Sequence, residues 1–266
     1  MIVKNQVNIY INHISSMVIH LAMSKIRLIT FDATNTLFKV HSTVGDLYAK
    51  AASVHEIDAD PHKVETNFRK SFHHFNTNYP NFGQTTGITS KQWWNEVIMG
   101  SFAGYRIEPM VFDELCTDLY NNFKKSMNWD VFPDVVPVLE KLNQSGVKLG
   151  VISNFDERLP MILKALDLRQ FFSFIVTSRE TVFCKPSLEI FNYAISLVKC
   201  RPEEAAHVGD NLNLDYKAAR NAGMDAFVLL RQPTDAKIEH LAENLVPKTK
   251  IMHDLQMLCT QILETK

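Results

Sequence analysis

The apolar residues of this chain fall into two kinds of stretch. One kind is short, rich in β-branched residues and without helical period. It occurs at residues 26–31, 147–154, 172–177, 205–210 and 226–230. Such runs predict strands buried on both faces, as in a parallel sheet. The other kind repeats at three- and four-residue intervals. Val135, Val138, Leu139 and Leu142 do so within 134–145, as do Leu159, Ile162, Leu163 and Leu166 within 156–168. Ile190, Ala194, Leu197 and Val198 share one side of 187–199, and the segment 213–222 ends at Gly223, a suitable glycine just past a helix. Strands alternating with helices predict an α/β fold of βαβ units, a mostly parallel sheet covered on both faces.

The interval from Leu37 to Phe132 breaks this alternation. Helical patterns run over 44–55, 60–76, 90–99 and 108–125, with no buried strand among them. A stretch rich in turn formers and aromatics, 78–88, separates two of these helices. The interval reads as a helical insertion, a second small domain placed just after the first strand, with the tract before Pro133 as the return linker. Within it, the segment 78–87 with Phe82 reads either as a substrate-reading loop or as an ordinary surface connection. Trp93 and Trp94 diverge on a helix, so one of them is expected in the core. The first residues differ again. No acid precedes Asp32, and Lys4 is the sole Lys or Arg before Lys25. They lack the unbroken apolar run of a membrane span, the compact apolar block of a secretory signal and the arginines of a mitochondrial presequence. Residues 1–23 therefore read as a disordered or non-native extension, with Met23 as a candidate start of translation.

Composition narrows the class. With 46% hydrophobic and 21% charged residues, the 266-residue chain reads as a soluble globular protein able to bury a large core. A formal net charge of −1 gives no electrostatic case for nucleic acid or an anionic membrane as partner. Cys116, Cys184, Cys200 and Cys259 are scattered, which argues against a zinc cluster or disulfide framework and fits a reducing, cytoplasmic setting.

Candidate chemistry gathers at strand ends, where ligands collect in parallel sheets. Asp32 closes the first run. Ser153 and Asn154 close the second, Lys185 follows the third, and Asp210 with Asp215 follows the fourth. Each has a plain structural reading: a turn at Asp32 or Gly209-Asp210, a helix cap at Ser153-Asn154, a solvated charge at Lys185. Together they have a chemical logic. A carboxylate can attack phosphorus and divide one displacement into two steps. The Ser153 hydroxyl and Asn154 amide can hold a phosphoryl oxygen. Lys185 can offset charge and favour ionised Asp32. Asp32 and Asp210 would repel each other, so a divalent cation is expected; oxygen-only ligands favour Mg²⁺. Asp215 would orient Lys185 or bind a metal water.

The same residues resemble the motifs of the haloacid dehalogenase superfamily of aspartyl hydrolases. Asp32-Ala-Thr-Asn-Thr36 is similar to its first motif, Ser153 to its second, Lys185 before Pro186 to its third, and Gly209-Asp210 through Asp215 to its fourth. The resemblance spans about residues 24–232. It implies a Rossmann-like doubly wound core at 24–38 and 132–266, and a helical cap at 39–131. It also implies catalytic roles for Asp32, Ser153 and Lys185 and substrate contacts from Asn154 and Thr36. Mg²⁺ would be held by Asp32, Asp210 and the Thr34 carbonyl, with Asp215 in support. Phosphatases of the family usually carry a second Asp where this chain has Thr34, and that Asp serves as general acid and base. A Thr hydroxyl cannot serve as a base at neutral pH, and such help is typically worth about 10²–10⁴-fold. The expected activity is therefore a slow or specialised Mg²⁺-dependent hydrolase of small phosphorylated substrates. Two alternatives stand beside it: a metal-free 2-haloacid dehalogenase, and a weakly catalytic module that binds phosphate and Mg²⁺.

Overall fold

The computed structural model of the chain describes residues 26–263. The extension 1–23 and the candidate start Met23 lie outside these residues. The strands are β1 (Leu28–Phe31), β2 (Phe38–Val40), β3 (Trp129–Val131), β4 (Lys148–Ser153), β5 (Phe174–Thr177), β6 (Ala205–Gly209), β7 (Asp225–Leu229) and β8 (Ile251–Met252). Six of them form one parallel sheet in the order β5-β4-β1-β6-β7-β8. β1 is buried at every position. Its alternate residues serve opposite faces, Ile29 and Phe31 joining one core cluster and Leu28 another. The first cluster includes Val138, Leu139 and Leu142 of the helix Val135–Gln144. The second includes Ile190, Phe191 and Ala194 of the helix Leu188–Val198. Cover on both faces is why these strands carry apolar runs rather than alternation. The chain runs outward from β1 through β4 to β5, then crosses back to β6 on the other side of β1. The order reverses beside β1, the place where such sheets bind ligands.

Helices Val44–Val54, Pro61–Asn78, Ser90–Ser101 and Pro109–Asn122 make up the insertion. Their starts follow from sequence. Thr43 with Asp46 and Thr89 with Gln92 form reciprocal capping boxes, and Pro61 and Pro109 occupy first-turn positions that need no N–H. These helices bury their own cluster, including Tyr48, Ala52, Val64, Ile98 and Leu115.

Three features depart from the sequence reading. The connections into and out of the insertion pair as an antiparallel ribbon, with Phe38 opposite Val131 and Val40 opposite Trp129. Strands of three residues are too short to show a period, so none was expected there. The helical pattern at 156–168 yields a helix only over Leu159–Ala165, because Asp156 turns back to accept from the Arg158 backbone N–H and guanidinium. The segment expected as one helix over 213–222 opens as a π-helical turn, Leu212–Lys217, before the short helix Ala218–Asn221. Asn211 caps that turn by accepting from Asn213 and Leu214 N–H. Beyond the last expected strand, the chain adds the helix Asp235–Glu243, β8 at the sheet edge and the helix Gln256–Leu263. The four cysteines are free, and no helix among the described residues is long and apolar enough to cross a membrane.

Candidate active site

β1 delivers Asp32 to the carboxyl edge of the sheet, where its N–H donates to the Val208 carbonyl on β6 (2.9 Å). The Lys185 ammonium lies between two carboxylates, 2.5 Å from Asp32 Oδ1 and 2.6 Å from Asp215 Oδ1. All three groups are buried. Asn154, at the end of β4, fixes the Lys185 backbone from both sides. Its Oδ1 accepts the Lys185 N–H (2.7 Å) and its Nδ2 donates to the Lys185 carbonyl (2.8 Å). This explains how a flexible lysine is held at a fixed depth: the β4 end clamps its main chain, and two carboxylates fix its head.

Asp215 is held from three directions. Besides Lys185 it meets His207 Nε2 (3.2 Å) through Oδ1, and its Oδ2 accepts the Asn211 N–H (3.0 Å). The other ring nitrogen of His207 shares a 2.8 Å hydrogen bond with Thr30 Oγ1 of β1. The wide turn after β6 brings Asp215 back against Gly209, so close that a Cβ on Gly209 would lie 2.2 Å from the Asp215 carboxyl carbon. Only glycine permits that approach. Asn35, in a left-handed conformation (φ 61°), sends its side chain to Asp210.

The charges of the site do not balance. Burial, aided by the charges of Asp215 and Asp210, pushes the Asp32 carboxyl up to about 6, although Lys185 opposes the rise. Burial and Asp215 also raise Asp210 above the usual carboxylate range. Asp215 goes the other way: burial would raise it, but Lys185 and His207 together hold it well below that range. Lys185, which burial alone would depress, is held above its ordinary value by Asp215 and Asp32. Burial lowers His207 despite Asp215.

Oxygens of Asp32, Asp210 and Asp215 lie within 4.8 Å of one another. An all-oxygen donor set suits a hard divalent cation. Both Asp215 oxygens already have partners, which leaves Asp32 and Asp210 as the available carboxylates, in keeping with the one or two that Mg²⁺ usually takes. Among the described residues no backbone N–H takes the Thr34 carbonyl: the Thr36, Leu37 and Phe38 N–H groups donate to the Ala33 carbonyl instead, and the Asn35 N–H donates to the Phe38 carbonyl. The donors present therefore fit Mg²⁺.

The remaining expected residues lie nearby. Ser153 is buried at the end of β4. Thr36 is also buried, its Oγ1 without a hydrogen-bond partner and its carbonyl accepting from Arg231 (2.6 Å). Thr34 borders a cavity of about 310 Å³ between the insertion and the sheet. Asn154 and Phe155 share its floor, and Tyr48, Phe72, Phe82, Trp94, Phe123 and Trp129 form much of its wall. Trp93 is the core member of the tryptophan pair, while Trp94 faces this cavity. A second cavity, about 690 Å³, borders Asn35, Asp210, Arg231 and Lys237.

Sequence reasoning passed over the residues that join the insertion to the sheet. Asp156 and Arg158 form a buried ion pair (2.6 Å). Trp94 Nε1 donates to Asp156 (2.7 Å), and the guanidinium lies over the rings of Tyr120 (4.3 Å) and Trp94 (4.9 Å). Glu157 accepts from Tyr120 (3.0 Å) and from Ser90. The loop at 78–88 is latched to the turn after β5. Arg179 donates to the carbonyls of Phe82 and Ile88, while Asn81 and Gln84 donate to those of Ser178 and Arg179. Asp156 and Arg158 stood in a stretch read as ordinary helix, and only their adjacency to the β4 end pointed to them.

A parallel sheet with a carboxylate, a buried lysine and an acidic pair at its carboxyl edge defines a class, and the family model for haloacid dehalogenase-like hydrolases matches residues 26–223. The chain belongs to that family. It is 34% identical to the human haloacid dehalogenase-like hydrolase domain-containing protein 3 over 236 residues, 88% of this chain and 92% of the relative. Two solved structures share the fold. A phosphatase of the family from Thermococcus onnurineus superposes with a TM-score of 0.59 at 22% identity, covering 89% of this chain and 97% of that one. The 2-haloacid dehalogenase from Pseudomonas syringae pv. Tomato does so with 0.61 at 23%, covering 90% and 98%. At those identities the likeness speaks to fold alone.

Proposed function

We propose that the protein is a Mg²⁺-dependent hydrolase of small phosphate esters that works through an aspartyl-phosphate on Asp32, with the helical insertion serving as a cap over the site. The observation that carries this reading is the acidic trio around Lys185, whose oxygens lie within 4.8 Å of one another and lack a matching positive charge. Asp32 is the nucleophile. Lys185 holds it and offsets phosphoryl charge, while Asn154 and Asp215 position Lys185. The Ser153 hydroxyl and the Asn154 N–H are donors for a phosphoryl oxygen. Mg²⁺ held by Asp32, Asp210 and the Thr34 carbonyl would supply the positive charge that lets a phosphate dianion approach a carboxylate. The test is a panel of phosphate monoesters with and without Mg²⁺, with Asp32→Asn as control. Activity that survives in the variant sinks the nucleophile assignment.

A second reading, a metal-free 2-haloacid dehalogenase, draws on Thr34, which removes the usual acid–base residue. Halide release from 2-chloropropionate in the presence of a chelator would put that reading first.

A further inference from the structure

We infer that the substrate is an aryl phosphate, the phosphate ester of a phenol rather than of an aliphatic alcohol, with its ring seated in the cavity that borders Thr34. The inference rests on the phosphatase reading above and deepens it. Three observations meet at this cavity.

The first is that, among the described residues bordering the cavity, no carboxyl or imidazole stands ready to protonate a leaving group. An alkoxide is a poor leaving group and needs a general acid, whereas a phenolate, derived from an acid of pKa about 10, can depart unprotonated. Thr34 stands where a family phosphatase would carry that acid. The titratable residues bordering the cavity are Tyr48, Tyr120 and Arg158. Tyr120 already donates to Glu157 (3.0 Å), and burial first of all makes both phenols weaker acids than usual.

The second observation is size and lining. A cavity of about 150 Å³ with apolar walls accepts benzene. This one, at about 310 Å³, has room for one or two rings. Its aromatic walls offer edges and faces to a flat guest.

The third is charge. Arg158 is the cation on the wall, and Asp156 neutralises it at 2.6 Å. An anionic leaving group would lose its hydration here against a cation that already has its counter-charge. The larger cavity beside Asp210 borders neither Thr34 nor Asn154.

The chemistry balances without a proton shuttle in the first step. An Asp32 carboxylate oxygen attacks phosphorus, and the bond from phosphorus to the bridging oxygen breaks. That oxygen keeps the electron pair and leaves as phenolate. In the second step water attacks phosphorus, the bond from phosphorus to Asp32 breaks, and the Asp32 carboxylate is restored. Both water protons leave with the phosphate as dihydrogen phosphate. With no base at position 34 to activate the water, the second step is the slow one.

Rapid-quench kinetics on the full chain with Mg²⁺ test this, comparing phenyl and 1-naphthyl phosphate with benzyl phosphate. The two aryl esters should give a burst of phenol followed by a common steady rate. Benzyl phosphate, of similar shape but with an alkoxide leaving group, should phosphorylate Asp32 at least about 10²-fold more slowly. Thr34→Asp should narrow that gap by speeding the benzyl ester. Independently of turnover, naphthylmethylphosphonate should bind about 10²-fold tighter than methylphosphonate by tryptophan quenching. Benzyl phosphate reacting as fast as phenyl phosphate, or equal binding of the two phosphonates, overturns the inference while leaving a phosphatase. If no ester phosphorylates Asp32, the phosphatase reading falls and the inference with it.

Discussion

Asp32→Asn should make the metal-free protein more stable at neutral pH, although it removes the proposed nucleophile. Asp32 is buried, and its carboxyl titrates at about 6 instead of its ordinary 3.8. The folded state therefore binds this proton more tightly than the unfolded chain does. The associated stability is fully present below pH 3.8 and is lost as pH rises to about 6. At 1.36 kcal/mol per pH unit, that interval corresponds to about 3 kcal/mol, the cost of holding Asp32 ionised at pH 7. An amide mimics the protonated acid in shape and charge and avoids that cost. Its oxygen can still accept from Lys185, which keeps Asp215 as its ionic partner. The assay is urea unfolding of both proteins in chelator, at pH 7.5 and at a pH below 4. The variant should gain about 3 kcal/mol at the higher pH and close to nothing at the lower. A variant less stable than wild type at pH 7.5, or one with the same gain at both pH values, would refute the assignment of Asp32 as an ionised carboxylate held at a cost. Added Mg²⁺ should stabilise wild type more than the variant.

Other parts of the account can be tested as directly. Gly209→Ala would drive a methyl to 2.2 Å from the Asp215 carboxyl carbon, so it should abolish turnover and weaken Mg²⁺ binding by calorimetry; a fully active variant would show that Asp215 can move freely. Asp156→Ala leaves the Arg158 guanidinium buried without a counter-charge and should cost about 3–5 kcal/mol in urea unfolding. Adding Arg158→Leu should recover part of that loss, and no recovery would count against the pair. Arg179→Ala removes the donors to the Phe82 and Ile88 carbonyls, so amide exchange and limited proteolysis across 78–88 should speed up by about tenfold or more, with the sheet unaffected. Unchanged exchange there would mean that Asn81 and Gln84 suffice to hold the loop.

The sheet was legible because its strands are buried on both faces, which leaves mainly apolar runs such as Leu28 to Phe31, interrupted by Thr30 alone. The candidate site was legible because the fold places Asp32, Ser153, Lys185 and Asp210 in comparable positions, each at or after a strand end. What escaped was of two kinds. Elements of two or three residues, such as β2, β3 and β8, carry no period to read. Interactions made across the chain have no local signature. His207 looks like one more residue of an apolar strand until β1 sets Thr30 beside it and the turn after β6 returns Asp215. The expected helix at 156–168 failed for a related reason. Its periodic Leu159, Ile162 and Leu163 do pack into the core, but Asp156 and Arg158 form a buried pair against the insertion rather than a first helical turn. Asn154 was expected at a phosphoryl oxygen through its N–H; its side chain does something the sequence did not suggest, gripping Lys185 from both sides.

The central claim is that Asp32 carries the phosphoryl group between substrate and water. The most direct measurement mixes the full chain with Mg²⁺ and phenyl phosphate, quenches in acid during the burst, and maps the phosphorylated peptide by mass spectrometry. The account predicts one phosphoryl group, on Asp32, which disappears on further incubation and never forms in Asp32→Asn. Steady release of phenol with no phosphoryl group on Asp32, or with one on another residue, would contradict it.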